Sequence, residues 1–285
     1  MQRATLVGAA LLTTGTLIGA VAGHAQTEIS ADLGLYSSYV WRGLSLTNKP
    51  VAQPAVYVSF PVGNASLTLG GWSTIDLGKY DDLADDISQS GGSSAFNFAE
   101  FDPSVEISFP VGKATLTAGG VAYLYPNDEN APGFGLLTSD NNTVEIYGKA
   151  AFDVPLSPQL SIYYDVDKIK GAYFEGSVSH SLAASEKVSI DLGAAAGLNA
   201  GQGVSTDPDE SFNFADDGFT HLDLSAGVPF SAGAFSITPV LHLIVAGDDF
   251  TKVTSPTNES DAKVWGGVTI SWARTLGEVP EEAAE

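Results

Sequence analysis

Few of the side chains in this sequence can act as bases, nucleophiles or metal ligands. Beyond residue 25 the histidines are His180, His221 and His242, and the chain has no cysteine. That removes thiol nucleophiles, disulfide frameworks and cysteine-based zinc sites together. His221 and His242 fall on segments that read as neighbouring strands, with Asp223 two residues beyond His221 on the same face. A carboxylate and one or two imidazoles could therefore meet, which is the core of a Ser/His hydrolytic site if a serine lies within hydrogen-bond reach of its base. Spacing singles out no such serine, and whether the two histidines share a face depends on a strand register that the sequence leaves open. Walker phosphate loops, dinucleotide fingerprints and zinc-protease helix motifs do not occur. The reading is a polar lining with no catalytic residue and no cofactor. Clustered carboxylates offer hard oxygens for calcium: Asp76, Asp81, Asp82, Asp85 and Asp86; Asp207, Asp209, Glu210, Asp216 and Asp217; and Asp248 with Asp249. None follows calcium-loop spacing, so they read as solvated loops, and no metal is expected.

The acids belong to a wider imbalance. The 285 residues carry 12 Lys+Arg against 34 Asp+Glu, a formal net charge of −22, yet only 16% are charged and 44% are hydrophobic. Such a chain folds, because disordered acidic tails carry far more charge and few aromatics. Nucleic acid and anionic membrane surfaces, which reward clustered Lys and Arg, are poor partners for it. Residues 1–25 read as an export signal: Arg3, an apolar stretch from Leu6 to Val21, then Gly23-His24-Ala25 before Gln26. The alternative is an anchor helix, since a span needs about 20 residues; Thr13, Thr14 and Thr16 argue against it. No later stretch could span as a helix, so any later membrane residence must use β-structure.

The elements that would position these residues are strands. Apolar and polar residues alternate over segments of about ten, the period of a strand with two different faces. Twelve are predicted: Ile29 to Trp41, Val51 to Val62, Ala65 to Ile75, Phe98 to Val111, Ala114 to Tyr125, Thr143 to Val154, Gln159 to Asp167, Ala172 to Leu182, Lys187 to Leu198, Phe219 to Phe230, Ala234 to Ala246 and Lys263 to Arg274. Tight connections, such as Gly63-Asn64 and Gly112-Lys113, alternate with longer ones, such as Leu77 to Asn97 and Asn199 to Gly218; Lys168 to Gly171 is short on the long side. Phe60-Pro61-Val62-Gly63 recurs as Phe109-Pro110-Val111-Gly112. A soluble β-sandwich has no reason to sort its turns by length, whereas a transmembrane antiparallel barrel of about 12 strands does: short periplasmic turns, long extracellular loops, an even strand number. The expected organisation is a signal peptide over 1–25, a barrel over 26–275 and an acidic tail over 276–285.

Parity assigns the faces. One set of positions, including Val56, Leu69, Ile107, Ile146, Leu224, Leu241 and Trp272, is apolar and would face lipid. Phe60, Phe109, Phe152, Phe230 and Phe235 share that parity beside tight turns, as an interfacial girdle would. The opposite parity holds Asp32, Glu100, Asp102, Glu106, Glu145, Asp153, Asp165, Glu175, Asp191 and Asp223 against Arg42, Lys149 and Lys263. Isolated charges in an apolar core are costly, but a watery lumen keeps them hydrated. Two outcomes stay open: a water-filled, electronegative lumen favouring cations, or a plugged interior in which some acids pair with Arg42 and Lys149.

The run Tyr36-Ser37-Ser38-Tyr39-Val40-Trp41-Arg42-Gly43-Leu44-Ser45, followed by Pro50, Gln53, Pro54 and Ala55, resembles the opening of the TorF-type porin family over about residues 30–60. The resemblance implies a proteobacterial outer-membrane channel of unspecified substrate, with Arg42 as a lumen-facing base near the outer end of strand one. The C-terminus departs from the usual barrel pattern, because Trp272 is followed by an acidic tail rather than by a terminal aromatic. The expected function is passive diffusion of small solutes or ions across the outer membrane of a diderm bacterium. Outer-membrane lipid and the barrel assembly machinery would be its partners, and nucleic acid would not. A non-conducting scaffold or adhesin barrel, and a lipid hydrolase with its site at the outer rim, are the alternatives.

Overall fold

The period-two patterning resolves into fifteen strands and, among the described residues, no helix. The computed structural model describes residues 26–47, 49–78, 95–127, 139, 141–185, 188–202, 214, 217–246 and 262–276. The leader, the tail beyond 276, and loop acids Asp81, Asp82, Asp85, Asp86, Asp207, Asp209, Glu210, Asp216, Asp248 and Asp249 lie outside them. The strands are β1 (Glu28–Tyr36), β2 (Tyr39–Trp41), β3 (Leu44–Thr47), β4 (Val51–Val62), β5 (Ala65–Asp76), β6 (Asn97–Val111), β7 (Ala114–Tyr123), β8 (Thr143–Phe152), β9 (Gln159–Asp165), β10 (Ala172–Ala183), β11 (Ser189–Ala200), β12 (Gly218–Gly227), β13 (Phe230–Ala232), β14 (Phe235–Ala246) and β15 (Ala262–Thr275).

Twelve of them are staves of a closed antiparallel barrel. Each pairs with the next from β4 to β12, β12 meets β14, and β15 and β1 complete the ring back to β4. The β13 segment continues the β12 stave beyond Val228-Pro229, where proline cannot donate to the ladder. The repeated Phe-Pro-Val-Gly run builds two matching hairpins, with Val62 opposite Ala65 and Val111 opposite Ala114. Gly63 and Gly112 sit at φ of +65° and +64°, the positive value that a primed two-residue turn demands of its first central residue. Glu28 pairs with Thr275, so the barrel begins and ends at this tight-turn rim. The connections 37–50, 77–96, 124–142, 166–171, 201–217 and 247–261 all leave the opposite rim.

Faces follow parity. Val56, Leu69, Val105, Ile146, Leu160, Leu224 and Leu241 point outward and are exposed, while their strand neighbours Tyr57, Thr68, Glu106, Glu145, Ser161, Asp223 and Val240 are buried within. This is the inverse of a soluble protein, since a contiguous apolar exterior of this extent is unfavourable in water, and it excludes the sandwich reading. Phe60, Phe152, Phe230 and Phe235 are exposed at the tight-turn rim, and Phe109 is half-buried beside them. Tyr164, Phe174 and Phe219 form a second exposed aromatic set toward the other rim, one that the sequence reading did not assign. Phe219 and Phe230 lie on one stave, and at about 3.3 Å per residue with a tilt near 40° they are roughly 28 Å apart in height, matching an apolar band of about 25 Å.

Inside, aromatic rings lie flat over glycines. A Cβ at Gly119 would come within 2.5 Å of the Tyr147 ring, so glycine at that position is what lets the ring lie against the wall.

The first predicted strand is corrected at its end. It leaves the barrel wall after Tyr36, and Tyr39–Trp41 instead forms β2, paired with β3 in a separate two-stranded sheet.

Candidate functional site

The β2–β3 hairpin folds into the barrel and crosses the lumen. Tyr39, Val40, Leu44 and Thr47 are nearly fully buried, enclosed by side chains of the surrounding strands. Val40 packs on Ile244 and Trp265, and Leu44 on Tyr173 and Phe214. Tyr39 donates its hydroxyl to Glu100 on β6 at 2.8 Å, and Trp41 meets the Tyr123 ring of β7 edge-on. Lys263 of β15 donates to Ser38 at 2.7 Å and to Ser45. The tip turns through Arg42 (φ +48°) and Gly43 (φ +83°), and a Cβ on Gly43 would lie 2.6 Å from the His221 ring of β12. Glycine is therefore required there twice, by backbone and by space.

Arg42, expected near the outer end of strand one, sits at this buried tip. Its two terminal nitrogens donate to the two carboxylate oxygens of Glu145 at 2.8 and 2.7 Å, a bidentate pair. The amide oxygen of Gln202 accepts a third bond at 2.8 Å. The guanidinium carbon lies 4.3 Å from the ring centre of Trp41, 4.6 Å from Tyr163 and 4.3 Å from Tyr173. Each distance falls within cation–π range. Glu145 also accepts from Tyr123 at 2.8 Å and from Gln202 at 2.6 Å. Burial works against the Arg42 charge, but the adjoining Glu145 carboxylate more than offsets it and pushes the group above the ordinary arginine value.

The remaining predicted lumen residues divide by what they touch. Lys149 lies 3.9 Å from Glu106, which also accepts from Tyr147 at 3.0 Å. The pairing of acids with Arg42 and Lys149 in a filled interior is thus present. Asp165 is committed to structure: one oxygen accepts the N–H groups of Asp167, Ile169 and Lys170 at 3.0–3.1 Å, and the other accepts from Thr143 at 2.6 Å. It ties down the short turn after β9. Asp32, Asp102 and Asp191 each keep one buried oxygen without a protein partner. Asp32 and Glu175 face the lumen half-buried. Asp153 is corrected, because β8 ends at Phe152 and Asp153 is exposed in the turn at the tight rim. Among the described residues, no three acids or histidines gather as a metal site.

Register answers the histidine question. Asp223 stands opposite Ile244 and Ser225 opposite His242, so His221, Asp223 and His242 all face the lumen. The His242 Nδ1 contacts Asp223 at 2.9 Å, and the imidazole stacks on Trp265 with ring centres 4.0 Å apart. His221 bonds Thr220 through Nδ1 at 2.9 Å. Ser225, the serine nearest in register to His242, has no hydrogen-bond partner for its hydroxyl, so it makes no serine–histidine contact.

Sequence reasoning missed Tyr123, Tyr163, Tyr173 and Gln202 as neighbours of Arg42 and Glu145, and Phe214 as the ring stacked on Trp41 and Tyr173. The signal present was parity: Tyr163 and Tyr173 lie two residues from Asp165 and Glu175, on the same lumen face.

No protein-family profile and no curated protein sequence matches the chain. Among solved structures, an outer membrane channel from Pseudomonas putida F1 is similar at a TM-score of 0.48 and 8% identity, over 87% of this chain and 94% of that one. The KdgM porin follows at 0.41 and 9%, over 86% and 98%. The translocator domain of the autotransporter NalP from Neisseria meningitidis follows at 0.40 and 9%, over 87% and 88%. At these scores and identities the likenesses say nothing of activity, and the fold stands on its own strand pairing.

Proposed function

We propose that the protein is an outer-membrane channel for small solutes whose lumen favours cations and whose resting state is closed by the inward hairpin. The observation that carries this reading is a lumen with more carboxylates than bases, inside a closed barrel with an apolar exterior. Ten lumen acids are described: Asp32, Asp76, Glu100, Asp102, Glu106, Glu145, Asp165, Glu175, Asp191 and Asp223; the bases there are Arg42, Lys149 and Lys263. Arg42 and Lys149 are each taken up by one acid, and Lys263 by two hydroxyls. The excess charge, focused between low-dielectric walls, raises the local cation concentration. Buried carboxylate oxygens without a protein partner are supported by water or mobile cations, which a conducting path supplies. On this reading the leader directs export, the assembly machinery inserts the barrel, and membership of the TorF-type family accounts for the run around Arg42.

A second reading has one observation in its favour. The hairpin spans the lumen through side chains on most of the staves, as the plug of a non-conducting scaffold would. Conductance separates the two. Reconstituted protein in planar bilayers is expected to give discrete current steps that grow when Arg42 is replaced by alanine; silence from both proteins supports the scaffold.

A further inference from the structure

We infer that the pocket around Arg42 is a binding site for small guanidinium-type cations, which the chain's own arginine occupies in the closed state. The inference rests on the hairpin-closed channel proposed above and names the solute class for which its lumen is shaped. The wall supplies most of the pocket and keeps it when the hairpin leaves. Glu145 stands on β8, Tyr163 on β9 and Tyr173 on β10, while Gln202 follows β11. They present a carboxylate that receives two parallel N–H bonds at 2.8 and 2.7 Å, an amide oxygen at 2.8 Å and two ring faces at 4.6 and 4.3 Å from the cation. That combination matches a flat, forked, weakly hydrated cation, and an ammonium ion would satisfy only part of it. Tyr123 and the Gln202 amide donate to the same carboxylate, so its plane is fixed from the wall and not by Arg42 alone.

The occupant, by contrast, is delivered by an element outside the barrel ladder. The hairpin is a two-stranded sheet of its own. Its tip residue Arg42 takes the left-handed backbone region, which is unfavourable for a residue with a side chain, so the pocket holds the tip and not the reverse. Withdrawal of Arg42 leaves the deeply buried Glu145 as an uncompensated charge beside two exposed ring faces, a site that an entering guanidinium satisfies fully. A guanidino solute therefore competes with Arg42 and frees the hairpin.

Arg42→Ala, reconstituted in planar bilayers, tests this with guanidinium chloride at low-millimolar concentration against urea, its uncharged isostere, and methylammonium. Guanidinium is expected to block the current at a half-blocking concentration at least about tenfold below either control. The block is expected to vanish in Arg42→Ala/Glu145→Gln. Equal half-blocking concentrations, or a block indifferent to Glu145→Gln, overturn the site while leaving the channel standing. If no variant conducts, the channel reading fails instead, and calorimetric titration of the same folded proteins in detergent still decides whether guanidinium binds through Glu145. Should Arg42→Ala not fold, Ser45→Cys in the otherwise native chain serves: guanidinium is expected to speed thiol labelling of the hairpin several-fold over equal urea, and equal rates overturn the site.

Discussion

Replacing Arg42 by methionine removes the cation from the hairpin tip while leaving a chain that still fills space between the Trp41, Tyr163 and Tyr173 rings. Glu145 is then buried without its partner, and breaking a buried pair in this way costs about 3–5 kcal/mol. At 1.4 kcal/mol per factor of ten, the equilibrium between seated and released hairpin shifts by about a hundredfold to a few thousandfold. Glu145→Gln does less damage, because Arg42 keeps its bond to Gln202 and all three ring contacts; the lost charge-assisted bonds are worth about 1.5–3 kcal/mol. The double variant removes both charges, and buried pairs replaced on both sides are often nearly neutral. It should therefore release the hairpin less than Arg42→Met alone. The chain has no cysteine, so Ser45→Cys on β3 gives a labelling site without background, and its maleimide rate in folded protein reports the released fraction. Labelling that ranks Arg42→Met fastest, with the double variant below it, is expected. Strictly additive effects, or rates unchanged by Arg42→Met, refute the role assigned to the pair.

Gly43→Ala should release the hairpin as well, since the new Cβ meets the His221 ring in a backbone region that favours glycine; a cost of about 1–3 kcal/mol predicts faster Ser45→Cys labelling by roughly fivefold to a hundredfold. Asp165→Ala should lower the stability of the barrel by about 2–3 kcal/mol in denaturant unfolding, because three backbone N–H groups lose their acceptor. Because the Arg42 pKa is raised in the fold, its contribution is fully present below the ordinary arginine value and is lost only as pH rises beyond the folded one. Arg42 should thus contribute no step to the hairpin labelling rate, corrected for thiolate content, from neutral to moderately alkaline pH; a rise there that survives Lys263→Met, which removes the other base bonded to the hairpin, would mean that Arg42 is not the latch.

The staves were legible in the sequence because lipid outside and water inside impose a strict period of two, which survives even where single residues are ambiguous. Ten of the expected elements need only small shifts at their ends. The predicted strand Phe219 to Phe230 is interrupted at Val228-Pro229, a break that proline's missing N–H makes readable. The first strand was misjudged for a physical reason: Tyr39-Val40-Trp41 is still extended and still alternates, because the hairpin is itself β-structure. Gly43 announces a turn, but nothing local says that the turn points inward. That direction is set by Glu100, Glu145, His221 and Lys263, which come from 61 to 225 positions along the chain and converge only when the barrel closes. For the same reason Arg42 was recognisable as a lone base among acids, while its partner Glu145, 103 residues away, was one carboxylate among ten. Most of the clustered loop acids, the leader and the tail lie outside the described residues; Asp76 and Asp217 are the members of those clusters that lie within them.

The central claim is an acid-lined lumen that conducts when the hairpin is free. It is tested most directly by the reversal potential of wild-type and Arg42→Ala protein in the same planar bilayers under a potassium chloride gradient. A larger current from Arg42→Ala, with a reversal potential displaced toward that of potassium, is the predicted result. A reversal potential displaced toward chloride, or no current from either protein, would contradict it.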